Sequence, residues 1–307
     1  MIANFFNKSK PINDFNIILL LIVYYFSSAL LFGSAEFSVL FLVKKIGFLF
    51  CLILFLLIFK FIIEKNNLTK SNSYALLLIV MLLGTFSEAI LSTVFLFSNL
   101  ILLLSYRKIY SLRSGINTKL KLFDAAFWVG VSALIYSWSI FYILLLYIGI
   151  FIYQKVSFKN LMIPVIGLAT PIVIYFTYNF YFDSLPIFYS RFNYSVNLDF
   201  GAYNSLKFLV PILFLMSTLL WSIIKATPKI VSISNNLKFS WNVLIYHLLI
   251  SVVLIVVSPL KNGSELFYLL FPSAIIITNF LQKSTSTLIK NVVLYLFLLI
   301  SVSVYFL

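Results

Sequence analysis

Residues 74–105 read YALLLIVMLLGTFSEAILSTVFLFSNLILLLS, and residues 122–153 read LFDAAFWVGVSALIYSWSIFYILLLYIGIFIY. Each apolar run is 32 residues long. As one straight helix each would measure about 48 Å, against a bilayer core of about 30 Å. A single span is too long for comfort, and two spans are short. The polar interruptions decide where a chain of this kind would fold back: Ser87-Glu88 in the first run and Ser137-Trp138-Ser139 in the second.

The rest of the chain gives the context. Of its 307 residues 63% are hydrophobic and only 10% are charged, with a mean hydropathy of +1.09. A soluble domain carries about 25% charged residues, so this chain has too little polar surface to face water. Soluble, disordered and disulfide-scaffold classes are excluded. The expectation is an all-α, polytopic transmembrane helical bundle, a single integral-membrane domain over residues 1–307. Besides the two long runs, the apolar segments are 17–32, 46–63, 161–182, 206–224, 241–259, 266–281 and 291–307.

Charge bookkeeping favours reading both long runs as helical hairpins. That gives about 11 spans with residues 1–15 as a cytoplasmic N-terminus and a periplasmic C-terminus. It keeps 17 of the 22 basic residues inside, leaving out Lys44, Lys45, Arg191, Lys207 and Lys261. Making either run, or both, a single span keeps fewer basics inside, against the positive-inside rule. Short helices that stop before crossing are tolerated where protein buries their ends. The net charge of +14 therefore reads as topology, not as nucleic-acid binding. Within this arrangement Asp14, Glu64 and Asp124 fall inside, and Glu36, Glu88, Asp183, Asp199 and Glu265 fall on the outer face.

One cysteine, Cys51, excludes an intrachain disulfide, and one histidine, His247, excludes a multi-His metal centre. No metal and no cofactor are expected. An intramembrane histidine is expected to hydrogen-bond a neighbouring helix. Three outer segments carry the candidate chemistry. The first is Ser34–Ser38 with Glu36, leading into an amphipathic stretch, Val39–Lys45, expected on the membrane surface. The second is Gly84–Glu88. The third is the longest outer loop, residues 183–204, with Asp183, Arg191 and several aromatics; Arg191 is the only outer arginine, and its planar fork suits phosphate. No phosphate-binding glycine loop, zinc-protease motif or nucleophile elbow is present.

An outer acid after the first span, then paired short spans reading SEAILSTVFLFSNLILLLSYRKIYSLRS and LFDAAFWVGVSALIYSWSIFYILLLYIG, resemble the C-type glycosyltransferase superfamily, which uses polyprenyl-phosphate-linked sugars at the outer membrane face. The opening MIANFFNKSKPIN and the overall length also resemble a family of uncharacterised bacterial inner-membrane proteins. The first resemblance implies Glu36 as the catalytic carboxylate, with Glu88, Asp183, Arg191 and Lys261 binding a lipid-linked substrate. Members typically carry an acidic pair in the first outer loop, whereas here Ala35 precedes Glu36 alone. Three readings follow: a non-catalytic or degenerate membrane component of cell-envelope assembly with membrane-protein partner subunits, an active lipid-linked sugar transferase, and a transporter or lipid flippase. In the transferase reading Glu36→Gln abolishes function, whereas Glu265→Gln, in another outer loop, is expected to be nearly silent.

Overall fold

The computed structural model describes residues 1–32, 39–192, 194–233 and 235–307. Among the described residues the secondary structure is entirely helical. The helices are α1 (Ile2–Phe6), α2 (Pro11–Phe32), α3 (Val39–Asn66), α4 (Tyr74–Thr85), α5 (Ser87–Leu91), α6 (Thr93–Ser111), α7 (Thr118–Ile135), α8 (Tyr142–Ile152), α9 (Phe158–Tyr181), α10 (Leu185–Arg191), α11 (Leu206–Ile233), α12 (Asn235–Val257), α13 (Phe267–Lys283) and α14 (Thr287–Ser303). Among the described residues six candidate spans, falling in α2, α3, α9, α11 and α12 and over Ser264–Lys283, are long and apolar enough to cross a membrane.

Both long apolar runs are broken. The first stops at Phe86 and again at Ser92, with the single-turn α5 between the breaks. The second stops at Tyr136 and resumes through a 3-10 turn, Ser137–Phe141. At about 1.5 Å per residue, the 12 residues of α4 are far too short to cross alone. All of them are buried, so their end groups meet protein and not hydrocarbon, as a short membrane helix requires.

Three local expectations need correction. Val39–Lys45 is not a separate surface helix: it opens the continuous 28-residue α3, because no breaker separates it from the apolar run that follows. The segment after residue 224 is not a loop. α11 continues to Ile233, and Lys225 lies 5.1 Å from the Trp221 ring one turn back while Lys229 donates to the Lys283 carbonyl. These contacts let basic residues continue the helix. The segment 183–204, expected to be a loop, contains α10, whose Phe188 packs edge-on against Phe176 at 5.3 Å.

The chain divides into two compact units. Unit 1 comprises residues 1–96, 199–234 and 260–307. Its core is α4 with α13, of which Phe267–Leu281 are all buried. α3 meets α13 through Phe55 on Phe267 and Phe59 on Phe271, two edge-to-face pairs one helical turn apart. α2 is fastened to α14 by Tyr24–Ser301 and continues the contact through Ser28–Tyr305. Gly84 in α4 lets the Tyr24 ring pass: a Cβ there would stand 2.5 Å from it.

Unit 2 comprises residues 97–198 and 235–259. α7 and α9 approach backbone to backbone at two glycines. A Cβ on Gly130 would meet Pro171 at 2.6 Å, and one on Gly167 would meet the Phe123 carbonyl at 2.6 Å. Small residues at such crossings replace the water-driven packing that a membrane interior lacks. Opposite them, α12 is joined to the α8 segment by three tyrosine–serine hydrogen bonds: Tyr136–Ser258 at 2.6 Å, Tyr142–Ser251 at 2.9 Å and Tyr153–Ser240 at 3.3 Å. The tyrosines ascend in number as the serines descend, so the two segments run antiparallel. His247, on the same helix, shares a hydrogen bond with Tyr110 of α6, as expected of a lone intramembrane histidine.

Candidate functional site

The richest polar group in unit 1 is assembled from three stretches of chain. α5 contributes Glu88. The segment 200–208 contributes Tyr203 and Lys207 where α11 begins. The connection into α13 contributes Lys261 and Glu265. α5 packs against the Ser264–Leu266 turn and against α2, which brings carboxylates from separate segments together.

Glu88 is held at both oxygens. Lys207 Nζ donates to Oε1 at 2.5 Å and Ser87 Oγ donates to Oε2 at 2.9 Å. The Lys207 ammonium also lies 3.6 Å from the centroid of the Phe32 ring, a cation–π position. The pair is largely shielded from solvent, so its electrostatic coupling is stronger than that of an exposed pair.

Glu265 is 0% exposed. Tyr203 donates its phenolic proton to Oε1, while Oε2 is buried with no hydrogen-bond partner among the described residues. Glu88 acts on the same carboxylate electrostatically. The turn beneath it is tightly built. Asn262 Oδ1 accepts from the Ser264 N–H and hydroxyl. Gly263 has φ +89° and lies beneath the Phe208 ring, which a Cβ would strike at 2.4 Å. Only glycine meets both demands. Lys261 is buried, 4.9 Å from the Phe200 ring, and burial pushes its ammonium below the ordinary lysine range.

Of the residues singled out by the sequence, Glu36 lies outside the described residues. Glu88 and Lys261 belong to this unit-1 group. Asp183 and Arg191 belong to unit 2 and are exposed: Asp183 occupies a left-handed turn after α9 with φ 50°, and Arg191 ends α10. Neither makes an ion pair among the described residues.

Glu265, expected in an outer loop where loss of its charge would be nearly silent, has a different setting. It is a fully buried, hydrogen-bonded carboxylate, not a surface acid, because α5 and the Phe200–Phe208 segment cover it. Tyr203 and Lys207 were missed as site residues. Their partners lie 62 and 119 residues away, and no local spacing signals such a pairing.

Chemically, the group is a set of carboxylates countered from within, with one acceptor oxygen left over. Six apolar helices among the described residues fit, by length and composition, a multi-pass, all-helical membrane protein. No protein-family model, curated protein or solved structure matches the chain.

Proposed function

We propose that the chain is an eleven-span, glycosyltransferase-C-like component of cell-envelope assembly in the bacterial inner membrane, with its N-terminus cytoplasmic and no catalytic chemistry of its own. The observation that supports a structural role is the state of Glu88. The resemblance makes it a substrate-binding residue, yet each of its oxygens already accepts a hydrogen bond, from Lys207 and from Ser87. A charge pair of this kind locks helices together and serves a scaffold that binds a lipid-linked sugar or a partner subunit.

The eleven-span arrangement draws support from contacts within each unit. The Lys70 N–H donates to the Gln282 side chain at 3.0 Å, which fits the even number of crossings that the eleven-span arrangement puts between residues 70 and 282. Treating just one of the long runs as a single span makes that number odd. The ion pairs agree: Lys60 with Asp14, Lys108 with Asp124, and Lys207 with Glu88 each join residues that charge bookkeeping assigns to one side.

A second reading, an active transferase, is favoured by one observation. Glu265 Oε2 is a buried acceptor with no hydrogen-bond partner among the described residues, and a sugar hydroxyl could supply one only if the covering Phe200–Phe208 segment moved aside. Complementation of a deletion strain's envelope phenotype, at matched membrane abundance, separates the two. The scaffold reading expects Glu36→Gln and Glu265→Gln to complement. Loss of complementation by either, with normal abundance and melting temperature, replaces it with the transferase.

A further inference from the structure

A groove of about 400 Å³ opens in unit 2 between α6 and α7. Arg107, Lys108 and Asp124 line it together with Phe123, Phe127 and Trp128. The aromatic residues form one wall: Phe123 and Phe127 lie one helical turn apart with rings 6.3 Å apart, and Trp128 meets Phe127 edge-on at 5.3 Å.

The charges are unequal. Asp124 is taken by Lys108 at 2.6 Å. Arg107 is exposed, and Lys121 adds a further cation close enough to Lys108 to interact with it. The Lys121 ammonium is fixed to the Ser111 carbonyl at 2.8 Å and to Ser114 Oγ at 2.7 Å. A positively charged mouth leading to an aromatic wall matches an amphiphile with an anionic head. Arginine presents the paired donors that phosphate oxygens accept, and basic pockets between membrane helices suit acidic lipid headgroups.

We propose that the groove between α6 and α7 binds an anionic phospholipid, with Arg107 holding the phosphate and Phe127 and Trp128 lying along an acyl chain. Basic residues are common at the cytoplasmic ends of membrane helices for topological reasons alone, so the test must separate this site from diffuse attraction.

The full-length protein in neutral detergent is titrated with phosphatidylglycerol, with phosphatidylcholine of the same acyl chains, and with inorganic phosphate, and bound states are counted by native mass spectrometry. Phosphatidylglycerol is expected to bind at least tenfold more tightly than phosphatidylcholine, and inorganic phosphate is expected not to bind. Loss of one surface cation weakens acidic-lipid binding by about fivefold. Arg107→Gln is expected to show at least that loss. Lys119→Gln removes the same charge from an exposed position outside the groove lining and is expected to change binding less than twofold. Asp124→Asn is expected to tighten binding. Equal losses for Arg107→Gln and Lys119→Gln, equal binding of the two lipids, tight binding of inorganic phosphate, or weakened binding by Asp124→Asn would each overturn the proposal.

Discussion

Tyr203 donates a hydrogen bond to Glu265, a carboxylate sealed from solvent and covered by segments far from it in sequence. Removing one partner of a buried hydrogen bond leaves the other with its desolvation cost unmet, typically about 1–3 kcal/mol. Tyr203→Phe is therefore expected to lower stability by roughly that amount, measured as chemical or thermal unfolding in detergent. Glu265→Ala should cost more than Glu265→Gln, which keeps an acceptor for the tyrosine. A melting curve unchanged by Tyr203→Phe would remove Glu265 from the structural core.

Lys207 and Glu88 should be energetically coupled. Lys207→Met strands a shielded carboxylate and Glu88→Leu strands a shielded ammonium, whereas the double variant strands neither. The double variant should be less destabilised than the two single effects combined, with a coupling of about 0.5–3 kcal/mol. Additivity within error in a double-mutant cycle would mean that solvent screens the pair.

At the α7–α9 crossing, side chains larger than hydrogen should be rejected. Gly167→Val and Gly130→Leu push against backbone carbonyls that cannot step aside, and overpacking costs about 1–3 kcal/mol. Gly47→Ala, with nothing within 4 Å of its added methyl, is the matched control and should be neutral or slightly stabilising. Replacing a helical glycine raises helix propensity at every one of these positions, so comparable losses at all three would mean that the close α7–α9 approach is not what makes glycine necessary.

The three tyrosine–serine bonds between the α8 segment and α12 should each contribute little. Interhelical hydrogen bonds in membrane proteins average about 0.6 kcal/mol, so Tyr142→Phe alone should be nearly silent. Replacing Tyr136, Tyr142 and Tyr153 with Phe together should cost about 2 kcal/mol. A larger loss from the single change would assign the Tyr142 hydroxyl a role beyond this bond, through its hydrogen bond with Tyr106.

For the topology, a reporter fused after Lys119 is expected to be active on the cytoplasmic side, and one fused after Asn197 on the outer side. An outer location at Lys119 would remove the first hairpin and the grouping of acids on the outer face.

Much of the helical layout was legible because it is local. Ser87-Glu88 and Ser137-Trp138-Ser139 interrupt runs too long for one span, and the runs break beside them, at Phe86 and Ser92 and at Tyr136. The polar contacts were less legible. Glu265 follows Asn262-Gly263-Ser264, a string that reads as a surface turn, and its burial depends on Tyr203 and α5, which arrive from elsewhere in the chain. Lys207 stood out in the sequence only as one of the five basic residues outside the cytoplasmic count, because Glu88, its partner, lies 119 residues away. The close α7–α9 approach had a visible signal in Gly130 and Gly167, but a glycine alone does not say which helix it faces. Helix extensions such as α11 past Lys225 were hidden because hydropathy ends where the lipid-facing stretch ends, whereas hydrogen bonding continues.

The discontinuity of unit 1 bears on how the protein is made. α4 is buried against α13, and about 180 residues separate the end of one from the start of the other. At translation rates of about 5–20 residues per second, α4 waits roughly 10–35 s for that partner to leave the ribosome. In that interval the nascent chain carries an unfinished twelve-residue helix with only earlier helices beside it. An insertase or membrane chaperone that shelters α4 would set the yield of folded protein, and stalled synthesis ahead of α13 would leave a form marked for quality-control proteolysis.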